Sequence, residues 1–428
     1  MKNAINRYVS IAIIFLFGCT IATGGYAQTN TKAKKNPPRS ALDLMNLITN
    51  QQLNAIALKD GDYVKGNWQE VKKSKLPTAM YWSYPTGVTL LGMQRVYNIT
   101  RDEKIMDFVN KNNRISAEQY AYLRWQKNQF GTVYDTKGFE KLWRLDMLDD
   151  CGAMGAAILE SSLRNKVEFT PALKELVEIT GNFVTNVQYR TKEGTFYRPN
   201  SPEGSTIWAD DLYMSLPFLI RWAEYKKDES SLNDAAQQII DYAAYLQDSD
   251  GLLFHAYFVD KKVPACCKWG RANGWAAVAI AEVLSVLPES HPHYKAVLNI
   301  YRKHIEGIVK YQSASGLWNQ VIDHPELSWG IETSSSAQFT YAMARGMNKG
   351  WLNKSYLPVV KKAFAGLEQQ INTNGSISKV CMSTSIGDDL DYYNSRSFND
   401  HDYHGAGLML LALTEVHNLL ENQAKKGK

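Results

Sequence analysis

The chain has 428 residues, of which 45% are hydrophobic and 11% aromatic, and its formal net charge is +5. The basic excess lies near the two ends, so the body of the chain is close to neutral, which excludes a basic face for nucleic acid. The length is ample for a large core, and the many Trp and Tyr residues suit either stacking on sugar rings or a helical core.

The N-terminal residues have the pattern of a secretory signal. Lys2 and Arg7 precede the apolar run 9–18, which is too short to span a bilayer comfortably. We therefore predict a signal peptide over residues 1–27 and export to the periplasm or the medium. Cleavage after Ala27 is the favoured interpretation.

A second cleavage interpretation remains open. Leu16-Phe-Gly-Cys19 resembles a lipoprotein box except for its bulky Phe17. Membrane contact is expected only if Cys19 carries a lipid. Residues 28–40, rich in Lys and Pro, then predict a flexible leader before one folded domain over 41–422 and a basic tail over 423–428.

The remaining cysteines show neither CxxC spacing nor a neighbouring His cluster. This pattern supports neither a zinc site nor a disulfide scaffold, and it predicts four mostly buried thiols. We expect no metal and no cofactor. The four residues are Cys151, Cys266, Cys267 and Cys381.

A repeat of about 60 residues runs through the folded part of the chain. Each unit has a Trp just before an apolar, small-residue-rich helical run, and in the sixth unit His takes its place. A second marker, a Gly before a short apolar run, keeps the same period. The first marker falls at Trp82, Trp143, Trp208, Trp269, Trp329 and His404, and the second at Gly131, Gly194, Gly251, Gly316 and Gly375.

Amphipathic helical segments such as 232–246 and 294–311 lie between these markers. Each unit is therefore an apolar helix, an amphipathic helix and a short return. Six such pairs bury their apolar helices when they close into a ring, which predicts an all-α fold, an (α/α)6 barrel of six helical hairpins. An open solenoid is less consistent because no unit has the polar face of a cap.

If the barrel closes, the N-terminal ends of the inner helices meet at one mouth. The residues at or just after those helix starts are then candidates for a site: Trp82, Tyr84, Asp146, Asp149, Asp150, Trp208, Asp210, Asp211, Trp269, Arg271, Asn273, Trp275, Glu332 and His404. Aromatic rings, carboxylates and one Arg suit a carbohydrate with an acidic group. His255, on the turn before Trp269, is equally compatible with a site or a structural role.

The stretch Trp208-Ala-Asp-Asp-Leu-Tyr-Met-Ser-Leu-Pro-Phe218 carries two adjacent carboxylates. In a helix Asp210 and Met214 share one face, so Asp210 beside an aromatic ring and a thioether is a candidate general acid. The alternative is that Asp210 and Asp211 only bind exposed amides at the helix start. The sixfold repeat favours a functional Asp210 and leaves Asp211 to capping or support.

These motifs, with Trp269-Gly-Arg-Ala-Asn-Gly-Trp275, Gly316-Leu-Trp-Asn and Glu332-Thr-Ser-Ser-Ser, resemble those of glycoside hydrolase family 105, related to family 88. The resemblance runs from about Trp82 to the C-terminus. It implies an (α/α)6 barrel that removes a 4,5-unsaturated galacturonyl residue from the non-reducing end of lyase-generated, rhamnogalacturonan-type oligosaccharides. Family 88 relatives treat unsaturated glucuronyl ends.

The resemblance also implies roles for particular residues. Asp210 carries the chemistry, and the Asp-x-Gly pattern favours Asp150 over Asp149 as the assisting carboxylate. Substrate contacts are implied at Trp208, Met214, Arg271 and Trp275, and also at Tyr84; Asp149, His255, Trp269 and Asn273 complete the predicted substrate-binding set. The chain departs from the family pattern at Asn319 and Arg198, where His is expected, which affects the exact substrate more than the reaction.

A 4,5-unsaturated uronide is a vinyl ether, so one positioned acid can start its breakdown. Protonation at C4 by Asp210, addition of water at C5 and opening of the hemiketal release the leaving sugar. Two other functions remain as alternatives: a hydrolase of unsaturated glucuronyl ends, and a noncatalytic glycan-binding protein on the same barrel. The latter needs the aromatic rings but not the acid.

Overall fold

Two concentric rings of helices dominate the computed structural model, which describes residues 38–327, 330–400 and 402–426. The predicted signal peptide, Cys19 and Trp329 lie outside the described residues. From Arg39 onward the chain forms one compact unit. Within the described residues no helix combines the length and apolarity that crossing a bilayer requires.

The inner ring consists of six helices that pack side by side and close on themselves, since each contacts the next and the last contacts the first. In chain order they are α3 (Tyr84–Thr100), α6 (Gly152–Asn165), α8 (Asp211–Lys226), α10 (Gly270–Leu284), α12 (Thr333–Asn348) and α15 (Gly405–Lys426). Closure confirms the predicted all-α (α/α)6 barrel and excludes the open solenoid.

The outer ring consists of six helices that pack against the inner ones. They are α1 (Ala41–Ala55), α4 (Glu103–Phe130), α7 (Pro171–Asn182), α9 (Ser230–Leu246), α11 (Tyr294–Val309) and α13 (Leu357–Glu368). Three short helices lie in the connections: α2 (Trp68–Val71), α5 (Glu140–Arg144) and α14 (Leu390–Asn394).

The two rings differ in composition because they face different surroundings. Every residue of the inner helix α10 is buried, which an apolar, Ala-rich sequence tolerates on all sides. The outer helix α11 buries a single stripe that includes Val297, Tyr301, Ile305 and Ile308, at helical spacing, and leaves its other face to solvent.

The second sequence marker corresponds to tight turns after the outer helices. All five marker glycines have positive φ, for example 96° at Gly251 and 88° at Gly316. A side chain there would be strained, and at Gly251 a Cβ would also collide with the carbonyl of Lys303. The periodic Gly is therefore required by the return of the chain to the next inner helix.

Short strands, which the periodicity did not predict, cover the mouth of the barrel. An antiparallel sheet has the order β1 (Arg198–Ser201), β2 (Gly204–Trp208), β3 (Ala256–Phe258) and β4 (Val263–Pro264). Two further antiparallel pairs are β5 (Trp318–Asn319) with β6 (Ile331–Glu332), and β7 (Val380–Cys381) with β8 (Phe398–Asn399). Strands this short give too few alternating positions for sequence patterns to detect.

The Trp marker locates an inner-helix start in three of the four units where it is described. Trp82 and Trp208 precede α3 and α8 by a few residues, and Trp269 is the N-cap of α10. Trp143 is different, because it lies in the short helix α5, well before α6 begins at Gly152. The prediction that Trp143 starts an inner helix is wrong.

Residues near both predicted domain edges take part in the folded structure. Arg39, assigned to the flexible leader, is tied to α13: its backbone N–H donates to the Glu368 carboxylate and its guanidinium to the carbonyls of Glu368 and Ile371. Ser40 caps α1. At the other end α15 continues to Lys426, so the helix extends into the predicted basic tail.

Two of the four cysteines are not thiols. Cys266 and Cys267, adjacent in sequence, form a disulfide, whereas Cys151 and Cys381 are free and buried. The prediction of four mostly buried thiols is therefore wrong for the adjacent pair, for which spacing rules based on CxxC or distant partners give no signal.

Candidate active site

One pocket lies where the N-terminal ends of the inner helices meet the small sheet. We call it the inner pocket, and its lining residues are Tyr84, Asp149, Arg198, Trp208, Asp210, Met214, Trp269, Arg271, Ser383 and Thr384. Seven of these were predicted to form the site. The repeat therefore identified a real cluster of side chains, drawn from four of the helix starts and the segments beside them.

Asp210 is the N-cap residue of α8, but its side chain makes no capping hydrogen bond. Its side chain is 14% exposed, and Oδ2 is buried without a hydrogen-bond partner in the described part of the protein. The alternative that Asp210 only binds helix amides is therefore wrong. Its carboxylate is free to interact with whatever enters the pocket.

His255 lies behind Asp210. Its Nε2 is 3.4 Å from Asp210 Oδ2, and its Nδ1 is 2.6 Å from the Tyr393 hydroxyl. That hydroxyl accepts from the Gly387 N–H, and burial raises the pKa of Tyr393 above its ordinary value. In the tautomer in which Nδ1 accepts the Tyr393 proton, the Nε2 proton faces Asp210.

The backbone explains why His255 and Asp210 meet. Strands β2 and β3 pair with Trp208 opposite Ala256, and the Ala209 N–H donates to the His255 carbonyl. The sheet that sequence reasoning missed therefore aligns the residue before α8 with the residue before β3. A site role for His255, one of two open interpretations, is consistent with this placement.

Arg198 connects two carboxylates of the site. Its guanidinium donates to both oxygens of Asp211, at 3.0 and 2.5 Å, and to Asp149 at 3.0 Å, and it lies over the Trp208 ring at 4.6 Å. Although burial disfavours its charge, Asp211 and Asp149 raise the pKa of Arg198 well above its ordinary value. Asp211 thus supports the site, as predicted, but through an ion pair.

The structure places the adjacent carboxylates Asp149 and Asp150 differently. Asp149 lines the inner pocket. Asp150 turns away, because its carboxylate accepts from the Arg144 guanidinium and from the backbone N–H groups of Asp146 and Met147. Burial raises the pKa of Asp150 to about 6. Asp149, predicted to bind substrate, lines the pocket, whereas the assisting role predicted for Asp150 stays a prediction.

Aromatic and thioether side chains form the walls beside Asp210. The rings of Trp208 and Trp269 pack against His255, with centroids 5.3 and 4.8 Å away, and Met214 lines the same pocket one turn along α8. The indole N–H of Trp269 is buried without a hydrogen-bond acceptor in the described residues. This wall is suited to a sugar ring that presents a polar group to the indole.

Arg271 supplies a second buried guanidinium at the pocket. It donates to the carbonyls of Cys381 at 2.5 Å and Met382 at 2.9 Å, lies over the Trp269 ring at 4.7 Å, and is 4.0 Å from Glu332. These contacts hold it in place while it still lines the pocket. Its charge favours an anionic ligand group.

Tyr84 is positioned by a chain of hydrogen bonds. Burial lowers the pKa of His404 to about 4, so its ring is neutral near pH 7. The His404 Nδ1 contacts the Asp402 carboxylate, which can only accept, so Nε2 accepts the Tyr84 hydroxyl at 2.6 Å. Burial raises the pKa of Tyr84. Tyr84 is therefore a neutral, oriented hydroxyl at the pocket.

Besides His255, which lies behind Asp210, two further predicted substrate-binding residues do not line the pocket. The Asn273 amide is occupied by the backbone of Leu253 and Trp269. Trp275 packs beneath the site against Tyr84 and Tyr213. Both lie on the first turns of α10, but a helix directs successive side chains around its axis, so only some of them face the mouth.

Glu332 and Asn319, also considered from the sequence, lie outside the pocket lining. The Glu332 carboxylate caps α12 through the N–H groups of Ser334 and Ser335 and accepts from the Cys381 N–H. Asn319 lies in β5, so its departure from the family pattern does not alter the inner pocket.

Comparison with known proteins agrees with this geometry. Residues 61–420 match the sequence model of Glycosyl Hydrolase Family 88. The chain belongs to that family. It is a glycoside hydrolase.

The family 88 chain is similar along most of its length to characterised relatives. It is 25% identical to the unsaturated rhamnogalacturonyl hydrolase YesR of Bacillus subtilis (strain 168), covering 78% of this chain and 89% of the relative. It is 22% identical to an unsaturated 3S-rhamnoglycuronyl hydrolase of Alteromonas sp. (strain LOR), covering 97% and 99%.

Solved structures share the barrel. A family 105 glycoside hydrolase of C. acetobutylicum ATCC 824 is 26% identical with a TM-score of 0.67, covering 78% of this chain and 93% of that one. The unsaturated glucuronyl hydrolase of Bacillus sp. GL1 has a TM-score of 0.62 at 14% identity, covering 88% and 96%, and supports the fold alone.

Three contributors to this family 88 site were missed. Ser383 and Thr384 line the pocket from the segment after β7, and Tyr393 orients His255 from α14. They fall outside the periodic helix starts, so the repeat gives no signal for them. In the described ranges no three His, Cys, Asp or Glu side chains are grouped as metal ligands require.

Proposed function

We propose that this glycoside hydrolase removes a 4,5-unsaturated galacturonyl residue from the non-reducing end of lyase-generated, rhamnogalacturonan-type oligosaccharides. The reaction is an acid-catalysed hydration of the C4=C5 vinyl ether. The relative from Bacillus subtilis, named an unsaturated rhamnogalacturonyl hydrolase, supports this substrate class.

The observation that carries the proposal is the free carboxylate of Asp210. In the described residues its Oδ2 has no hydrogen-bond partner although it is buried, and the nearest ionisable contact is His255 at 3.4 Å. A buried acceptor normally has a partner. Asp210 is therefore positioned to exchange a proton with a ligand rather than to hold the fold together.

The chemistry follows from this arrangement. Asp210 protonates C4, an oxocarbenium ion forms at C5, and water adds there. Asp210 then accepts the proton of the water, and the hemiketal opens to release the leaving sugar. Asp210 is negatively charged after it has given its proton to C4. The His255 ring, held in place by Tyr393, faces the carboxylate through Nε2 and can stabilise that charge.

Arg271 is the proposed partner of the substrate carboxylate. Among the described residues, the carboxylate nearest to its guanidinium is that of Glu332, at 4.0 Å. Arg198, in contrast, is bound to Asp211 and Asp149. Trp208 and Trp269 provide the surfaces for the ring. A planar unsaturated ring is well suited to such walls.

The inner pocket encloses about 50 Å³, below the size range of ligand pockets, which begins at about 300 Å³. Ser383 and Thr384 form its rim. Ser383 is exposed to solvent, and Thr384 is partly exposed. We therefore expect this rim to move outward when a sugar ring enters.

Loss of the ultraviolet absorbance of the C4=C5 bond tests the proposal. The protein is added to pectin and to glycosaminoglycan fragments, each treated with the appropriate lyase, and the decay is followed. We expect decay with unsaturated galacturonyl-rhamnose ends. Decay only with glucuronyl ends would change the substrate, and unchanged absorbance with every fragment would favour the noncatalytic glycan-binding alternative.

We also propose that the protein is exported, with cleavage after Ala27. The charged and apolar pattern of residues 1–27 supports this, and so does the disulfide between Cys266 and Cys267, since disulfides persist in oxidising compartments. Mass spectrometry of the mature N-terminus separates this proposal from a lipid-modified chain that begins at Cys19.

A further inference from the structure

A second cavity lies beside the inner pocket. It encloses about 370 Å³, and Arg198 and Trp208 line both cavities. We call it the outer cavity. Its size falls within the range of ligand-binding pockets. A chain whose terminal residue occupies the inner pocket would place its next residue beyond Arg198 and Trp208.

Two buried side-chain atoms of the outer cavity lack a hydrogen-bond partner in the described residues, and both are acceptors. Gln188 is 8% exposed; its amide N–H donates to the carbonyls of Tyr189 and Tyr197, and its Oε1 is buried without a partner in the described residues. Glu203 uses Oε1 to accept from Ser385, and its Oε2 is likewise without a partner there.

Acceptors without donors select for a ligand that donates. Sugar hydroxyl groups donate hydrogen bonds, whereas sulfate and carboxylate oxygens only accept them. The oxygens of an anionic substituent facing Gln188 or Glu203 could not donate to these buried acceptors. The acceptors would stay without hydrogen bonds, which costs binding free energy.

The charges of the cavity point the same way. Arg198 is the basic residue of its lining, and that charge is already bound by Asp211 and Asp149. Asp146, another lining residue, is paired with Arg144. Glu203 has no cation within ion-pair distance among the described residues, so the uncompensated charge of the cavity is negative.

Aromatic surface is also available. Tyr189 is 57% exposed and meets Tyr197 edge to face at 6.5 Å, and both line the outer cavity. Exposed rings next to unused acceptors are the combination expected for an uncharged sugar, which has apolar C–H faces and hydroxyl edges.

We infer that the outer cavity binds the leaving sugar and selects an uncharged, unsulfated residue. The inference rests on the proposed function for the position of the chain across Arg198 and Trp208. Its selectivity rests on the acceptors of Gln188 and Glu203. The hairpin of β1 and β2, which carries Glu203 at its turn, is then the specificity element for the leaving group.

The test uses two disaccharides with the same unsaturated uronyl end, one with rhamnose and one with a sulfated rhamnose. We expect the wild type to show a higher kcat/KM for the unsulfated compound. Glu203→Gln removes the uncompensated charge and should reduce that preference about fivefold. Glu193→Gln, an exposed substitution outside both cavities, should leave it unchanged.

Binding of both disaccharides to Asp210→Asn, measured by calorimetry, separates this inference from the proposed function. Tighter binding of the unsulfated compound supports the outer-cavity selection. If the wild type turns over neither compound, only the proposed hydrolysis is contradicted. Equal affinity, or a preference for the sulfated compound, overturns the selection while turnover can still stand.

Discussion

The two ends of the inner barrel use charged side chains in opposite ways. At the C-terminal end of the inner helices, successive helices contribute Arg and Glu in alternation: Arg95, Glu160, Arg221, Glu282, Arg345 and Glu415. From Arg95 to Glu415, each member is joined to the next by an ion pair of 2.7–3.4 Å. We call this the charge ring.

Nearly every charge in the ring is compensated. Arg221 donates to Glu160, Glu282 and the Pro217 carbonyl, each at 2.7 Å. Although burial opposes ionisation, Arg345 and Arg221 hold the pKa of Glu282 well below its ordinary value. Such pairs lock the helices together, because removing one partner leaves a buried charge without its counter-ion.

At the mouth, by contrast, the buried groups nearest the pocket are left incomplete. In the described residues Asp210 Oδ2, His255 Nε2 and Trp269 Nε1 have no hydrogen-bond partners. The same helices thus carry mutually paired charges at one end and, at the other, buried polar groups that await a partner. Loss of a ring member should therefore lower stability, whereas the groups at the mouth are available to a ligand.

Asp210→Asn should produce the largest effect. Loss of the proposed acid is expected to lower kcat by about 10⁴-fold, with substrate binding and thermal stability close to wild type. The measurement is the decay of C4=C5 absorbance together with a thermal melt. Asp260→Asn, an exposed substitution, is the control, and substantial turnover by Asp210→Asn would mean that another carboxylate is the acid.

Glu282→Gln tests the other end of the comparison. We expect it to lower the free energy of unfolding by about 3–4 kcal/mol, because Arg221 and Arg345 lose their shared counter-ion. Denaturant unfolding measures the loss. Glu224→Gln removes one partner of an exposed pair with Arg164 and should cost less than about 1 kcal/mol. Equal losses in the two variants would refute a special role for the ring.

His404 predicts a pH dependence at the mouth. Its pKa is about 4 in the fold against 6.5 ordinarily, so below about pH 6.5 the unfolded chain binds a proton that the folded chain refuses. The contribution of His404 to the free energy of unfolding is therefore lost as the pH falls from about 6.5 towards 4. Asp402 and Glu332 oppose the shift, and burial and Arg271 favour it.

We expect the wild type to lose about 2 kcal/mol more than His404→Gln between about pH 7.5 and pH 5. Unfolding curves at the two pH values measure the difference. A common pH profile for the two proteins would show that His404 already accepts a proton in the fold.

The smallest expected effect distinguishes the roles of Asp149 and Asp150. Asp149→Asn should lower kcat about tenfold, since it changes the charge beside the pocket. Asp150→Asn should mainly lower stability, by about 1–3 kcal/mol, because Arg144 loses its buried acceptor. Measurements of kcat and of thermal unfolding for both variants distinguish these two roles. A kinetic defect confined to Asp150→Asn would restore the assignment based on the Asp-x-Gly pattern.

Periodicity made much of this molecule predictable. The repeat of about 60 residues required similar units, and units with one fully apolar helix each can only be buried in a ring. The start of α8 and the shared face of Asp210 and Met214 followed from helix geometry. The alternating charges of the ring keep the same period, so the sequence contained a signal for them as well.

The barrel, its mouth and the candidate acid could thus be predicted before any contact was known, because each depends on local periodicity. Tertiary contacts were needed to show that Asp149 faces the pocket, that Arg198 joins it to Asp211, and that Asn273 does not reach the site. The physical reason is that a side chain's direction is set by its partners. Arg198 and Asp149 lie 49 residues apart, and no local pattern reports such a contact.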